Sequence, residues 1–163
     1  MKLHPAYIAG VMDSDGSFSI IRRTRQSTKH GYFFKCLIQL TWKDTSNCLE
    51  VLNYLKQTYG GTVNKINRHS GFPSSTPSEH YKWDLEEKKV TAFIQEILPF
   101  LQVKKFQAQC LLDLRKLRRW RETTKSRFKP DVVWEKEKAL HKKMYETNSK
   151  NKNVTRSTYA NSV

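Results

Sequence analysis

The stretch that most constrains the fold covers residues 8–18, where a short apolar segment runs into two carboxylates, a glycine and an alternating pattern. Pro5 suits the first turn of a helix, because its missing N–H has no intrahelical partner there. We therefore expect a helix that Gly16 closes with a positive φ, followed by a β-strand. Helical spacing gives one face of small side chains and an acid: Ala6, Ala9, Gly10 and Asp13.

The two acids of this stretch, Asp13 and Asp15, stand where a helix macrodipole is negative. Electrostatics alone disfavours carboxylates at that end of a helix. A solvated cap would tolerate them, and a bound divalent cation would favour them. The face of small residues, for its part, would let a second helix approach closely.

Composition narrows the class of protein. The chain has 163 residues, a formal net charge of +15 and a pI near 9.9. Such a charge predicts a polyanionic partner, nucleic acid first and an anionic membrane surface second. No apolar run approaches the ~20 residues that span a membrane. Three cysteines without CxxC spacing indicate reduced core thiols and an intracellular protein.

Periodicity gives the element order. After Gly16 the hydrophobic period changes from helical to two, which predicts a strand. Strands are expected at about residues 17–25, 32–41, 62–68 and 80–85. Helices are expected at about 48–59, 87–98, from near Lys104 onward, and more weakly at 131–145. We expect one domain over residues 1–146 and a polar, basic, disordered tail over residues 147–163.

This order predicts an α+β fold, αββαββα, in which helices cover one face of a four-stranded antiparallel sheet. The other sheet face is then free and basic, with side chains suited to hydrogen bonds with phosphates and base edges. A solvated outer face would show the same pattern. The candidate DNA contacts are Ser19, Arg23, Arg25, Lys35, Gln39, Thr41, Asn64, Arg68, His80 and Lys82.

Two segments resemble one known family. Residues 8–16 align without gaps with the signature of the LAGLIDADG homing endonucleases. The second segment, residues 98–108, is similar to the one that carries the active-site lysine in the single-motif branch. Both segments occur in the expected order, and the resemblance covers roughly residues 5–120. Five positions match the signature outright: Ala9, Gly10, Asp13, Asp15 and Gly16.

The resemblance implies an intron-encoded, site-specific homing endonuclease that cuts both strands of a long, partly palindromic DNA. A single motif implies a homodimer packed through the face of small residues. The family's chemistry implies Mg²⁺, with Mn²⁺ as a substitute, bound by the Asp15 carboxylate and the Ser14 carbonyl. It also implies that Asp15 and Lys104 are catalytic, with Lys104 as the basic residue that helps polarise water or phosphate, and that Asp13 is structural.

The chain departs from the family's pattern at two places. Trp42 stands where the family often has a glutamine that orients water, and Ser46 and Asn47 stand where an arginine sometimes lies. Two alternatives stay open: a maturase that binds intron RNA, and a DNA-binding protein that no longer cleaves. The presence of both Asp15 and Lys104 favours the enzyme. The compartment, an organelle or a prokaryotic cytoplasm, is left open by the sequence.

Overall fold

The structure is a computed structural model that describes residues 2–44, 47–68, 78–119 and 129–160, with no side-chain description for Arg68 or residues 150–160. Residues 69–77 and 120–128 lie outside the described residues, as do Thr45 and Ser46, so the expected departure at Ser46 is not described. The helices are α1 (Pro5–Ser14), α2 (Cys48–Tyr59), α3 (Lys88–Ile97), α4 (Lys105–Leu117) and α5 (Asp131–Ala160). The strands are β1 (Gly16–Thr24), β2 (Tyr32–Lys43), β3 (Thr62–Arg68) and β4 (Ser78–Glu86). No helix in the described ranges is long and apolar enough to cross a membrane.

The four strands form one antiparallel sheet in the order β1-β2-β4-β3. Side chains alternate between the two faces of each strand, and every second one enters the core beneath the helices. Ile38, Leu40 and Trp83 are fully buried on that face. The predicted αββαββα fold, with helices on one side of the sheet, is confirmed.

Helix α1 has the expected beginning but a different end. The His4 side chain accepts the N–H of Ala6 at 3.2 Å, and Pro5 occupies the first turn. Gly16 does not adopt a positive φ, so that expectation is wrong. Glycine is needed there because a Cβ would lie 2.7 Å from the carbonyl oxygen of Met12. The sharp passage from helix to strand leaves no room for a side chain.

Helix α5 continues to Ala160, well beyond the predicted end at residue 145 and into the segment expected to be disordered. It packs on α4 and along the edge strand β1. Trp134 and Met144 are buried against the core, and Asn148 Nδ2 donates to the carbonyl oxygen of Phe18 at 3.4 Å. These contacts hold the helix against the sheet as far as residue 148.

Candidate active site and nucleic-acid face

Asp13 joins the end of α1 to the start of α4. Its Oδ2 accepts the backbone N–H of Gln102 at 2.7 Å, and its Oδ1 accepts that of Lys104 at 2.8 Å. These two amides lead into α4, at the helix end where free N–H groups favour an anion. Asp13 is therefore committed to backbone groups within the chain, and it fixes where Lys104 stands.

The ammonium group of Lys104 lies at the C-terminal end of α1. Its Nζ donates to the carbonyl oxygens of Met12 at 3.0 Å, Ser14 at 3.2 Å and Gly16 at 2.7 Å. A cation at this end complements the helix macrodipole and satisfies carbonyls that the helix leaves open. Burial lowers the pKa of Lys104, and the nearby carboxylates of Asp13 and Asp15 act in the opposite direction. The charge that offsets the two acids thus comes from the chain itself.

Asp15 is exposed and lies at the junction of α1 and β1. Its Oδ2 accepts a hydrogen bond from the indole Nε1 of Trp42 at 2.9 Å. In the sequence, Trp42 stands out only as a departure from the family's pattern. Strand pairing could have suggested the contact, because Gly16 pairs with Leu40 and Trp42 follows two positions along the same face.

The atoms around this junction fit a hard divalent cation. They are carboxylate and carbonyl oxygens, the ligand types that Mg²⁺ prefers. In the ranges that the structure describes, no group of three or more His, Cys, Asp or Glu side chains could hold a metal ion. One chain therefore offers the Asp15 carboxylate and neighbouring carbonyls. The Ser14 carbonyl already accepts from Lys104 and keeps a second lone pair.

The strand register places most predicted DNA contacts on the sheet face opposite the core. Gln39 pairs with Ser17 and Asp84, and Thr41 pairs with Lys82, which pairs in turn with Asn64. Arg25 lies just past β1, where its N–H donates to the Gly31 carbonyl in the hairpin turn. Side chains expected at DNA share this face by alternation: Ser19, Arg23, Lys35, Gln39, Thr41, Asn64, His80 and Lys82. For Arg68, the structure gives only its strand pairing with Ser78.

Strand β4 adds two carboxylates, Asp84 and Glu86, to this face, whereas the predicted DNA contacts include no carboxylate. Asp84 Oδ1 accepts from Gln39 Nε2 at 2.8 Å, and its Oδ2 lies 2.8 Å from Lys82 Nζ. Lys35 forms an ion pair with Glu86. The centre of the face is therefore a network of paired charges and amides, with less free positive charge than its Lys and Arg content suggests.

The expected dimer face changes in composition. Ala9 is 0% exposed within the single chain and belongs to its core, so its assignment to the surface face is corrected. Ala6, Gly10 and Ser14 are exposed at intervals of four residues, with Tyr7 beside them. A Cβ added to Gly10 would meet nothing within 4 Å. The open face of α1 is therefore Ala6, Tyr7, Gly10 and Ser14.

Comparison with solved structures identifies the fold as that of the homing endonucleases. The homing endonuclease I-CvuI, in complex with its target, matches with a TM-score of 0.66 at 21% identity, covering 86% of this chain and 78% of that chain. The archaeal intron-encoded homing endonuclease I-Vdi141I, complexed with DNA, matches with a TM-score of 0.64 at 18% identity over 87% and 82% of the two chains. I-TnaI matches with a TM-score of 0.61 at 16% identity, over 92% and 99%.

Family membership comes from the sequence. The family model of the LAGLIDADG endonucleases matches residues 8–120, more than half of the chain. The chain belongs to the LAGLIDADG endonuclease family, as the two quoted segments predicted. Among curated proteins, none matches the chain significantly.

Proposed function

We propose that the chain acts as a homodimeric homing endonuclease that makes a site-specific double-strand break in a long, partly palindromic DNA. The observation that carries the proposal is the meeting of Asp15, Lys104 and the exposed face of α1 at one end of a polar sheet face. A two-fold axis through that face of α1 would bring two such ends together. Each copy would then serve one DNA strand.

The chain's own residues have distinct roles in this proposal. Asp15, with the Ser14 carbonyl, would hold a divalent ion, Mg²⁺ or Mn²⁺. A bound ion of this kind would supply a water of lowered pKa and stabilise charge on the phosphate oxygens. Lys104 is held by three carbonyls beside Asp15, where its positive charge would stabilise a phosphate oxygen. Asp13 keeps Lys104 in place through the backbone.

The sheet would supply recognition. Side chains from β1, β2, β3 and β4 on the face opposite the core would contact base edges in a DNA major groove. The structural neighbours I-CvuI and I-Vdi141I are complexes with DNA, which supports duplex DNA as the partner of this face. Arg23 and Arg25, toward the hairpin end, would contact phosphates away from the cleavage point.

The test is a cleavage assay on linear DNA. This DNA carries the intronless form of the host gene, that is, the gene that the reading frame interrupts. Wild-type protein with Mg²⁺ should cut both strands, and Asp15→Asn should lower the rate by about 100-fold or more. Binding of the same DNA by Asp15→Asn serves as the control for folding. Unchanged cutting by Asp15→Asn would overturn the assigned chemistry. RNA binding that promotes splicing and tolerates Asp15→Asn would support the maturase instead.

The dimer is tested at Gly10. Since a side chain there meets open space within one chain, Gly10→Leu should fold normally but block the close approach of a second α1. Sedimentation on DNA should show a dimer for the wild type and a monomer for Gly10→Leu. Gly16→Ala is the contrasting variant, because its Cβ would collide with the Met12 backbone and destabilise the fold. A wild-type protein that remains monomeric on DNA would contradict the shared two-fold site.

A further inference from the structure

The indole of Trp42 and the carboxylate of Asp15 share a hydrogen bond of 2.9 Å between Nε1 and Oδ2. An indole N–H can donate but cannot accept, so the direction of the bond is fixed. Asp15 Oδ1 takes no part in this bond. The contact therefore engages one oxygen of the carboxylate.

Trp42 is itself held firmly. It lies near the end of β2, pairs with Tyr81 of β4 and packs its ring against the core cluster. The ring also lines a shallow surface depression with Tyr7 and Val51. Asp15, in contrast, is exposed at the end of a helix. A restrained ring thus acts on a side chain that is otherwise surrounded by water.

The chemistry of the donor matters for a cation site. A lysine or arginine at the same place would neutralise the carboxylate and compete with a metal ion. The indole is uncharged, so it fixes the orientation of the Asp15 carboxylate without adding a second positive charge beside it. Partners of this kind, which hydrogen-bond a metal-binding carboxylate, typically change metal affinity by about 10- to 100-fold when they are removed.

We propose that Trp42 is a positioning residue that holds Asp15 ready for a divalent ion, in place of the water-orienting glutamine that the family resemblance leads one to expect. The inference rests on the proposed role of Asp15 as a metal ligand. The indole fixes the carboxylate from the Oδ2 side. Trp42 therefore acts through Asp15 and has no role of its own on the phosphate.

The first test needs no metal-dependent activity. In a ¹⁵N–¹H spectrum, the indole resonance of Trp42 is identified by its loss in Trp42→Phe. Asp15→Ala should shift this resonance, because the accepting carboxylate is gone. Added Mg²⁺ should shift it more than the resonances of Trp83 and Trp134, whose rings are buried in the core. A Trp42 resonance that responds to neither change would overturn the proposal.

The second test measures Mn²⁺ binding directly, from the loss of the free-ion electron paramagnetic resonance signal. Trp42→Phe keeps an aromatic ring and removes the N–H, and should raise the Mn²⁺ Kd about 10-fold. Tyr81→Phe, which removes a polar atom from the paired ring, is the matched control and should leave the Kd unchanged. If Asp15→Asn abolishes binding but Trp42→Phe does not weaken it, the positioning role fails alone. If Asp15→Asn also leaves binding unchanged, the proposed metal site fails with it.

Discussion

The Asp13 carboxylate accepts the backbone N–H of Lys104 at 2.8 Å, across 91 residues of chain. The same carboxylate also accepts the N–H of Gln102 at 2.7 Å. The Lys104 ammonium group in turn donates to the carbonyl oxygens of Met12, in α1, and Gly16, in β1. Residues 12–16 and 102–104 are therefore hydrogen-bonded to each other in both directions. The two matched segments of the sequence therefore form one structural unit.

These hydrogen bonds predict that the Asp13 side chain stabilises the folded chain, whereas the exposed Asp15 side chain contributes little to the free energy of unfolding. Asp13→Ala would leave two backbone N–H groups without their acceptor, and should lower the free energy of unfolding by about 1–3 kcal/mol. Asp15→Ala removes an exposed side chain and should change it by less than about 0.5 kcal/mol. Urea denaturation of the two variants beside the wild type measures the difference. Equal losses for the two variants would contradict the assignment.

The burial of Lys104 predicts that the free energy of unfolding depends on pH. Burial lowers its pKa below the ordinary value of 10.5, so the unfolded chain binds more protons than the folded chain between the two values. The free energy of unfolding contributed by this group therefore rises as the pH climbs through that window. Lys104→Met removes the contribution.

The measurement is the unfolding free energy of wild type minus that of Lys104→Met, taken from neutral pH to about pH 10.5. This difference in unfolding free energy should increase as the pH rises. Taking the difference cancels the titration of other groups in the chain. A flat difference would show that the environment of the Lys104 ammonium group in the folded chain resembles water.

We predict that Asp84 affects which bases the protein prefers, because it fixes the orientation of the Gln39 amide. A carboxylate cannot donate, so the Gln39 amide must turn its NH₂ toward Asp84 and present its oxygen outward. Asp84→Asn removes that constraint and releases Lys82. Selection of bound sites from a randomised DNA library should show relaxed preference at the base pairs facing Gln39, by about 1–3 kcal/mol of discrimination.

Glu79→Gln provides the control for this prediction. It also removes one negative charge from β4, but Glu79 pairs with Lys65 on the opposite face of the sheet. Its selected sites should match those of the wild type. If both variants shift the preference equally, the effect is one of net charge and the arrangement around Asp84 has no part in it.

Arg23 predicts the salt dependence of DNA binding. It is exposed on the face opposite the core, toward the hairpin end of β1. If it neutralises one phosphate, Arg23→Gln should reduce the slope of log K against log salt by about 1. Lys56→Gln, an exposed lysine on α2 in the helical layer, should leave the slope unchanged. Fluorescence anisotropy titrations from low to moderate salt measure both slopes.

Periodicity and the two matched segments were enough to predict the element order, the sheet and the family. They could not predict the partners of Asp13, because those backbone groups lie about ninety residues away and depend on how α1 meets α4. Ala9 was wrongly assigned to the exposed face of α1. Helical spacing puts Ala9 and Gly10 side by side, and only packing decides that Ala9 is buried in the core while Gly10 stays exposed. The carboxylates on the sheet face depend on strand order, which places β4 beside β2.

The strand order also leaves β1 at an edge of the sheet, with α5 lying along it. An uncovered edge strand offers unpaired backbone groups to any other chain, which is a common route to aggregation. The Asn148 side chain donates a hydrogen bond to the carbonyl oxygen of Phe18 on this strand. The buried Trp134 and Met144 hold the helix against the core. Helix α5 thus covers the free edge of β1, and a protein shortened before residue 131 should aggregate even where its sheet face is intact.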